Sequence, residues 1–171
     1  METHTIVTHD ISGKPLYDKW VLWAHLPHDI DWSLNSYIKI MEIKTVEDVV
    51  SICSAMPDKM IKNCMLFLMR KGINPTWEDE HNRDGGCFSY KVSNKEVPNI
   101  WRNISYQVVG ESMTSNKSFL ENISGITISP KKLFCIMKIW MKTTKFQNPK
   151  AINTEGGLFP TGCIFKRHKN N

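Results

Sequence analysis

Residues 64–92 run CMLFLMRKGINPTWEDEHNRDGGCFSYKV. Cys64–Met69 is an unbroken apolar run, short enough for a buried strand. Gly72 and Pro75 then interrupt the pattern ahead of Trp77-Glu-Asp-Glu80, and Asp84-Gly85-Gly86 signals a turn. Cys87–Val92 alternates between apolar and polar as a second strand does. The stretch predicts strand, polar loop and strand, with a tryptophan on the loop.

The flanking sequence extends this pattern. Upstream, Trp20-Val-Leu-Trp23 reads as a buried strand and residues 37–43 as an alternating one. Thr45-Val-Glu-Asp48 opens a helix: Thr45 can cap the free amides, and Glu47 and Asp48 suit the positive end of the helix dipole. Pro57 ends that segment. Downstream, a second helix starts at Pro98 and stops at Gly110, with Trp101, Ile104 and Val108 on one face. Gly125–Ser129 and Leu133–Trp140 are further strands, residues 141–160 are irregular, and Cys163–Phe165 forms a short closing strand. Many antiparallel strands with two helices predict the α+β class. Residues 1–14 are polar and aperiodic, which predicts a mobile arm before a single domain over 15–171.

Composition excludes several function classes. No apolar run reaches the ~18 residues of a spanning helix, so no membrane partner is expected. The N-terminal stretch lacks the basic and apolar regions of a signal peptide, which points to the cytoplasm. The five cysteines, Cys53, Cys64, Cys87, Cys135 and Cys163, are widely spaced and form no CxxC pair, so neither a disulfide framework nor a metal site is expected. Catalytic signatures such as G-x-S-x-G, H-E-x-x-H and GxxxxGK[ST] are missing, which argues against an enzyme and implies no cofactor. Charge is uneven. From Ile126 to Asn171 there are nine Lys or Arg and one acid, Glu155, whereas residues 1–125 carry 13 basic and 16 acidic groups. A basic C-terminal part suits a polyanionic partner, or is a solvated basic tail.

Six tryptophans divide by context. Trp20, Trp23 and Trp101 sit among apolar neighbours and read as core. Trp32 and Trp77 lie in polar, turn-rich segments, where a large aromatic needs either packing or a ligand. Two indole faces can sandwich a cationic base such as 7-methylguanine. Glu78, beside Trp77, can accept two hydrogen bonds from the N–H groups on the edge of that base. Lys131 and Lys132 stand at a strand entry, and Lys138 shares a strand face with Trp140, which suits phosphates. A solvated acidic turn and an exposed lysine ladder are the plain alternatives.

With these residues in view, the sequence resembles the cap-binding initiation factor 4E family. The resemblance runs in order from about Lys14 through Trp140. It rests on Trp20–Trp23, Asp31-Trp32, Thr45–Asp48, Gly72–Glu80, Gly85-Gly86, Trp101 and Gly110-Glu-Ser112. It implies a cupped, curved antiparallel sheet with helices on the convex back, and a 7-methylguanosine cap held in the concave face. Trp32 and Trp77 resemble the stacking pair, Glu78 the guanine-reading acid, and Trp140 the tryptophan near the methyl group. Lys131 falls where the family has a phosphate-binding arginine. A second phosphate lysine aligns with Ile136, so its role passes to Lys138 on the same strand face. The implied partners are capped mRNA and a scaffold factor 4G-like protein, with the chain a monomer.

Three departures stand out. Cys87 replaces an arginine near the phosphates. Phe146–Leu158 replaces a full helix. On the dorsal side, where Pro15, Val46 and Trp101 persist as partner-binding positions, Val50 stands for a tryptophan, and Arg102 and Tyr106 for apolar residues. Arg102 is expected to need an acid from a dedicated partner. The chain is compact and divergent enough to be virus-encoded. The implied function is mRNA recruitment for translation initiation; the alternative is a cap-binding repressor or decoy that does not engage the usual scaffold.

Overall fold

A computed structural model of the protein describes residues 13–169. The expected N-terminal arm lies outside these residues except for Gly13 and Lys14. In chain order the strands are β1 (Pro15–His25), β2 (Tyr37–Thr45), β3 (Met65–Arg70), β4 (Gly86–Ser93), β5 (Ile123–Pro130), β6 (Phe134–Met141) and β7 (Ile164–Arg167). They form one curved, wholly antiparallel sheet in the order β2-β1-β3-β5-β6-β4-β7. The α+β expectation and the cupped architecture hold.

Four α-helices are present among the described residues: α1 (Val46–Ala55), α2 (Asp58–Asn63), α3 (Val97–Val109) and α4 (Lys117–Asn122). The start of α1 follows from its sequence. Thr45 Oγ1 accepts from the Asp48 N–H at 3.1 Å, and Asp48 accepts in return from the Thr45 N–H at 3.0 Å, a reciprocal capping box. Only α1 and α3 were legible in the sequence. The two additional helices have six residues each, too few for a periodic stripe to register. Residues 141–160 are irregular as expected, with a single 3-10 turn at Pro149–Ala151. Ile152 and Leu158 from this segment are nonetheless buried in the core.

Strand alternation sends side chains to two separate apolar clusters. On the helical side, Leu66, Leu68, Phe88, Ile126, Met137 and Ile139 meet Val49 and Cys53 of α1 and Trp101, Ile104 and Val108 of α3. Fully burying each such large side chain is worth about 1.5–3 kcal/mol. On the opposite face Phe67, Met69, Cys87 and Trp140 form a smaller cluster, with Trp23, Tyr37 and Met65 against it. Trp23 therefore leaves the main core, because it is out of phase with Trp20 and Leu22. Gly125 allows the close approach of β3 to β5, since a Cβ there would strike Met69 and the Leu68 carbonyl.

A buried charge ties the strands to the helical layer. The Arg70 side chain, 7% exposed, is bidentate to Glu111 at 2.6 and 2.9 Å and reaches Asp18 at 2.9 Å. It also donates to the carbonyls of Ile123 and Leu120, and its guanidinium lies 4.5 Å from the Trp20 ring. Glu111 takes a left-handed backbone conformation, φ 51°, to present its carboxylate. The Gly110-Glu-Ser112 stretch is thus built around a structural ion pair.

Candidate functional site

A row of rings in contact, one pair stacked and the others edge-to-face or tilted, crosses the helix-free face. Trp32 lies flat on His25, 4.0 Å between centroids and 1° between planes. His25 meets Tyr37 at 5.2 Å, Tyr37 meets Phe67 at 5.3 Å, and Phe67 meets Trp140 at 6.4 Å. His168 closes the row over Trp140 at 4.8 Å. Trp140 is 8% exposed, and its indole N–H meets no protein acceptor. Trp32 and Trp77, at 54% and 46%, are the two exposed indoles, as their polar contexts predict.

Both carrier loops are braced. His25 Nε2–H donates to the Asp31 carbonyl at 2.7 Å, and Asp31 accepts from the Ser33 amide and hydroxyl at 2.8 and 2.9 Å. These bonds, the amide first, hold the Asp31 carboxyl below its usual range. In the Trp77 loop, Asp79 accepts from the Asn74 and His81 amides, and the Asn82 amide group donates to the Asn74 and Thr76 carbonyls. A Cβ on Gly85 would land on the Met141 carbonyl oxygen, so the loop must leave through glycine. Glu78 is exposed and close to Tyr37: burial first, and the Glu78 charge second, raise the Tyr37 phenol above its usual value.

Two neighbouring cavities receive the expected residues. One, about 540 Å³, gathers Trp77, Lys131, Lys138 and Trp140. The other, about 760 Å³, holds Trp32 with Lys62, Lys131 and Lys132. Ser129 and Lys131 line both. The structure does not bring Trp32 and Trp77 into one cavity, because one face of Trp32 rests on His25. Glu78 lines neither cavity.

The smaller cavity also contains residues the sequence reading missed: Lys91, Lys166, Arg167 and His168. No acid lines it, and among the described residues none of its Lys or Arg side chains makes an ion pair. β7 runs to Arg167 instead of stopping at Phe165, which carries the basic tail along the sheet edge beside β4. The excess of basic residues after Ile126 was the only available signal.

His168 fastens that tail. Its Nδ1–H donates to the Asn82 carbonyl at 2.7 Å, and its amide donates to Gly85 at 3.0 Å. Burial, reinforced by Lys138 and opposed by the Asn82 bond, holds the imidazole below its usual value. The unfolded chain, whose histidine titrates near ~6.5, then takes up more protons on acidification, so this contribution to stability is present above about pH 6.5 and is lost as pH falls through the lower folded value. His168→Gln should narrow the gap between urea midpoints at pH 7 and pH 5; an unchanged gap would show that His168 does not carry this dependence.

On the opposite, helical side, Pro15, Val46, Val50 and Tyr106 are exposed. Two expectations there need correction. Trp101 is 1% exposed, so it supports this surface from the core and presents nothing to a partner. Arg102 needs no acid from outside. It donates to the Cys53 and Met56 carbonyls at the end of α1, at 2.9 and 3.0 Å, and pairs with Asp58 of α2 at 2.7 Å. Its charge is satisfied within the chain and clamps three helices together.

The model of the family described as eukaryotic initiation factor 4E matches residues 15–156. The chain belongs to the initiation factor 4E family. This is a family of translation initiation factors, not of enzymes. Among its relatives, the chain is similar to a factor 4E homolog of Acanthamoeba polyphaga mimivirus, 32% identical over 126 residues. That match covers 72% of this chain but only 43% of the relative. Factor 4E of Eremothecium gossypii is 30% identical over 154 residues, covering 84% of this chain and 71% of that one. The fold is shared with a schistosome factor 4E solved with m7GpppG and a 4E-binding protein, TM-score 0.70 at 21% identity, over 78% of this chain and 75% of that chain. Among the described residues, no helix of this family member is long and apolar enough to cross a membrane.

Proposed function

We propose that the chain binds the 7-methylguanosine 5′ cap of mRNA and recruits that mRNA for translation initiation in the cytoplasm. One observation carries the reading. The exposed Trp77, the recessed Trp140 and unpaired Lys131 and Lys138 share a cavity without an acid, in a member of a translation factor family. The pyrimidine and imidazole rings of a methylated guanine carry a positive charge that suits indole faces, and the triphosphate suits the lysines. The schistosome relative was solved with a cap analogue and a binding protein, which agrees with the same two classes of partner for this chain. Trp32 supplies the second face of the sandwich. Because it rests on His25 beside a neighbouring cavity, the ligand closes the sandwich by drawing the Trp32 loop toward Trp77.

The dorsal surface keeps exposed Val46, Val50 and Tyr106 for a scaffold-like protein. Val50 offers less apolar area than a tryptophan would, so the chain binds ordinary scaffold peptides weakly.

The test of base reading is Glu78→Gln. The change keeps the shape but replaces one acceptor with a donor facing the base N–H groups. Preference for 7-methylguanine over adenine nucleotides should fall at least tenfold, about 1.4 kcal/mol. A titration series showing equal preference before and after the change would reduce Glu78 to a solvated turn residue.

A further inference from the structure

We propose that Lys166, on the terminal strand, is a phosphate-binding residue of the cavity that holds Trp77 and Trp140, and that its ligand is the polyphosphate bridge of the bound nucleotide. The identity of that ligand rests on the cap reading; the anion site itself does not.

Register places the residue. Cys87 in β4 pairs with Trp140 of β6 on one side and with Lys166 of β7 on the other. Residues directly opposite in antiparallel strands share a face, so Trp140, Cys87 and Lys166 form one row across the sheet. The middle member is a small thiol, 5% exposed, which puts no bulk between the indole floor and the lysine. The next row reads Thr127, Lys138 and Ser89, again on that face. Lys131 and Lys138 thus bring charge from the β5–β6 side, while Lys166 brings it from the sheet edge. An elongated anion lying between these walls meets cations along both flanks.

The basic tail divides by role. Lys169 is already paired, with Asp84 at 3.0 Å, and anchors the tail to the Trp77 loop. Lys166 lines the cavity and makes no ion pair among the described residues. Unpaired like charges converging on a concave site repel one another, and a bound polyanion relieves that repulsion.

The experiment is a fluorescence titration of the full chain with 7-methyl-GTP, 7-methyl-GMP, GTP and inorganic tripolyphosphate. Loss of one charge-assisted contact in Lys166→Ala should weaken 7-methyl-GTP by roughly tenfold and 7-methyl-GMP by much less. Lys166→Arg should restore most of that affinity. Lys169→Ala removes the same charge from the same tail and should change affinity by less than about twofold on the same reasoning. Equal losses for both nucleotides, no loss, or an equal loss in Lys169→Ala would overturn the proposal. If the parent protein does not prefer 7-methyl-GTP over GTP while Lys166→Ala still weakens tripolyphosphate, the anion site stands and the cap reading fails. If that preference is present and Lys166→Ala binds as the parent does, the cap reading stands and the anion site fails.

Discussion

Glu111→Ala should destabilise the protein by about 3 kcal/mol, because removing one member of a buried ion pair leaves the other charge uncompensated. The charge left behind is Arg70, whose side chain is 7% exposed and loses both bonds of its bidentate partner. Asp18 remains within 2.9 Å, but it is 43% exposed and contributes less. The left-handed backbone at Glu111 makes the test sharper. Glu111→Gly loses the carboxylate equally but relieves the conformational cost, so it should be less destabilised than the alanine variant by up to ~1 kcal/mol. Replacing the pair together, Arg70→Met with Glu111→Leu, should recover only part of the loss, because the Ile123 and Leu120 carbonyls then lose their donor. Urea midpoints decide the matter. A loss under ~1 kcal/mol for Glu111→Ala would place this pair with ordinary surface bridges.

Removing an indole gives the second large effect, this time on binding. One base stack contributes about 1–3 kcal/mol, so Trp77→Ala should weaken 7-methyl-GTP by about fivefold to 150-fold. Trp32→Ala should cost less. In the free protein Trp32 lies flat on His25 at 4.0 Å, and drawing its loop toward Trp77 strains or gives up that contact, worth roughly 0.5–1.5 kcal/mol. The alanine variant makes no such stack, so part of the loss is offset. The order of the two losses is therefore a prediction independent of their size. Binding should also quench tryptophan fluorescence in the parent. Unchanged affinity in both folded variants would remove the sandwich from the account.

The sequence carried the parts of this picture that depend on short-range pattern. Unbroken apolar runs and alternation located the strands, Thr45 and Pro57 bounded the first helix, and polar context singled out Trp32 and Trp77 as the exposed indoles. What escaped depends on contacts between distant residues. Arg102 reads as an unmatched charge until Asp58, 44 positions away, is seen beside it. Arg70 and Glu111 are separated by 41 positions, and His168 and Asn82 by 86. The terminal strand extends two residues beyond the expected Phe165, because Lys166 and Arg167 have no apolar alternation but pair with β4. That difference conceals a cavity-lining lysine, Lys166, opposite Cys87.

Selective recognition of a methylated guanine is tested by a direct comparison of two nucleotides. The full chain should be retained on immobilised 7-methyl-GTP, eluted by free 7-methyl-GTP, and left in place by the same concentration of GTP. The unmethylated base lacks the ring charge that indole faces recognise. Elution by both nucleotides at equal concentration would contradict the account, because it would show a phosphate site without a cap site.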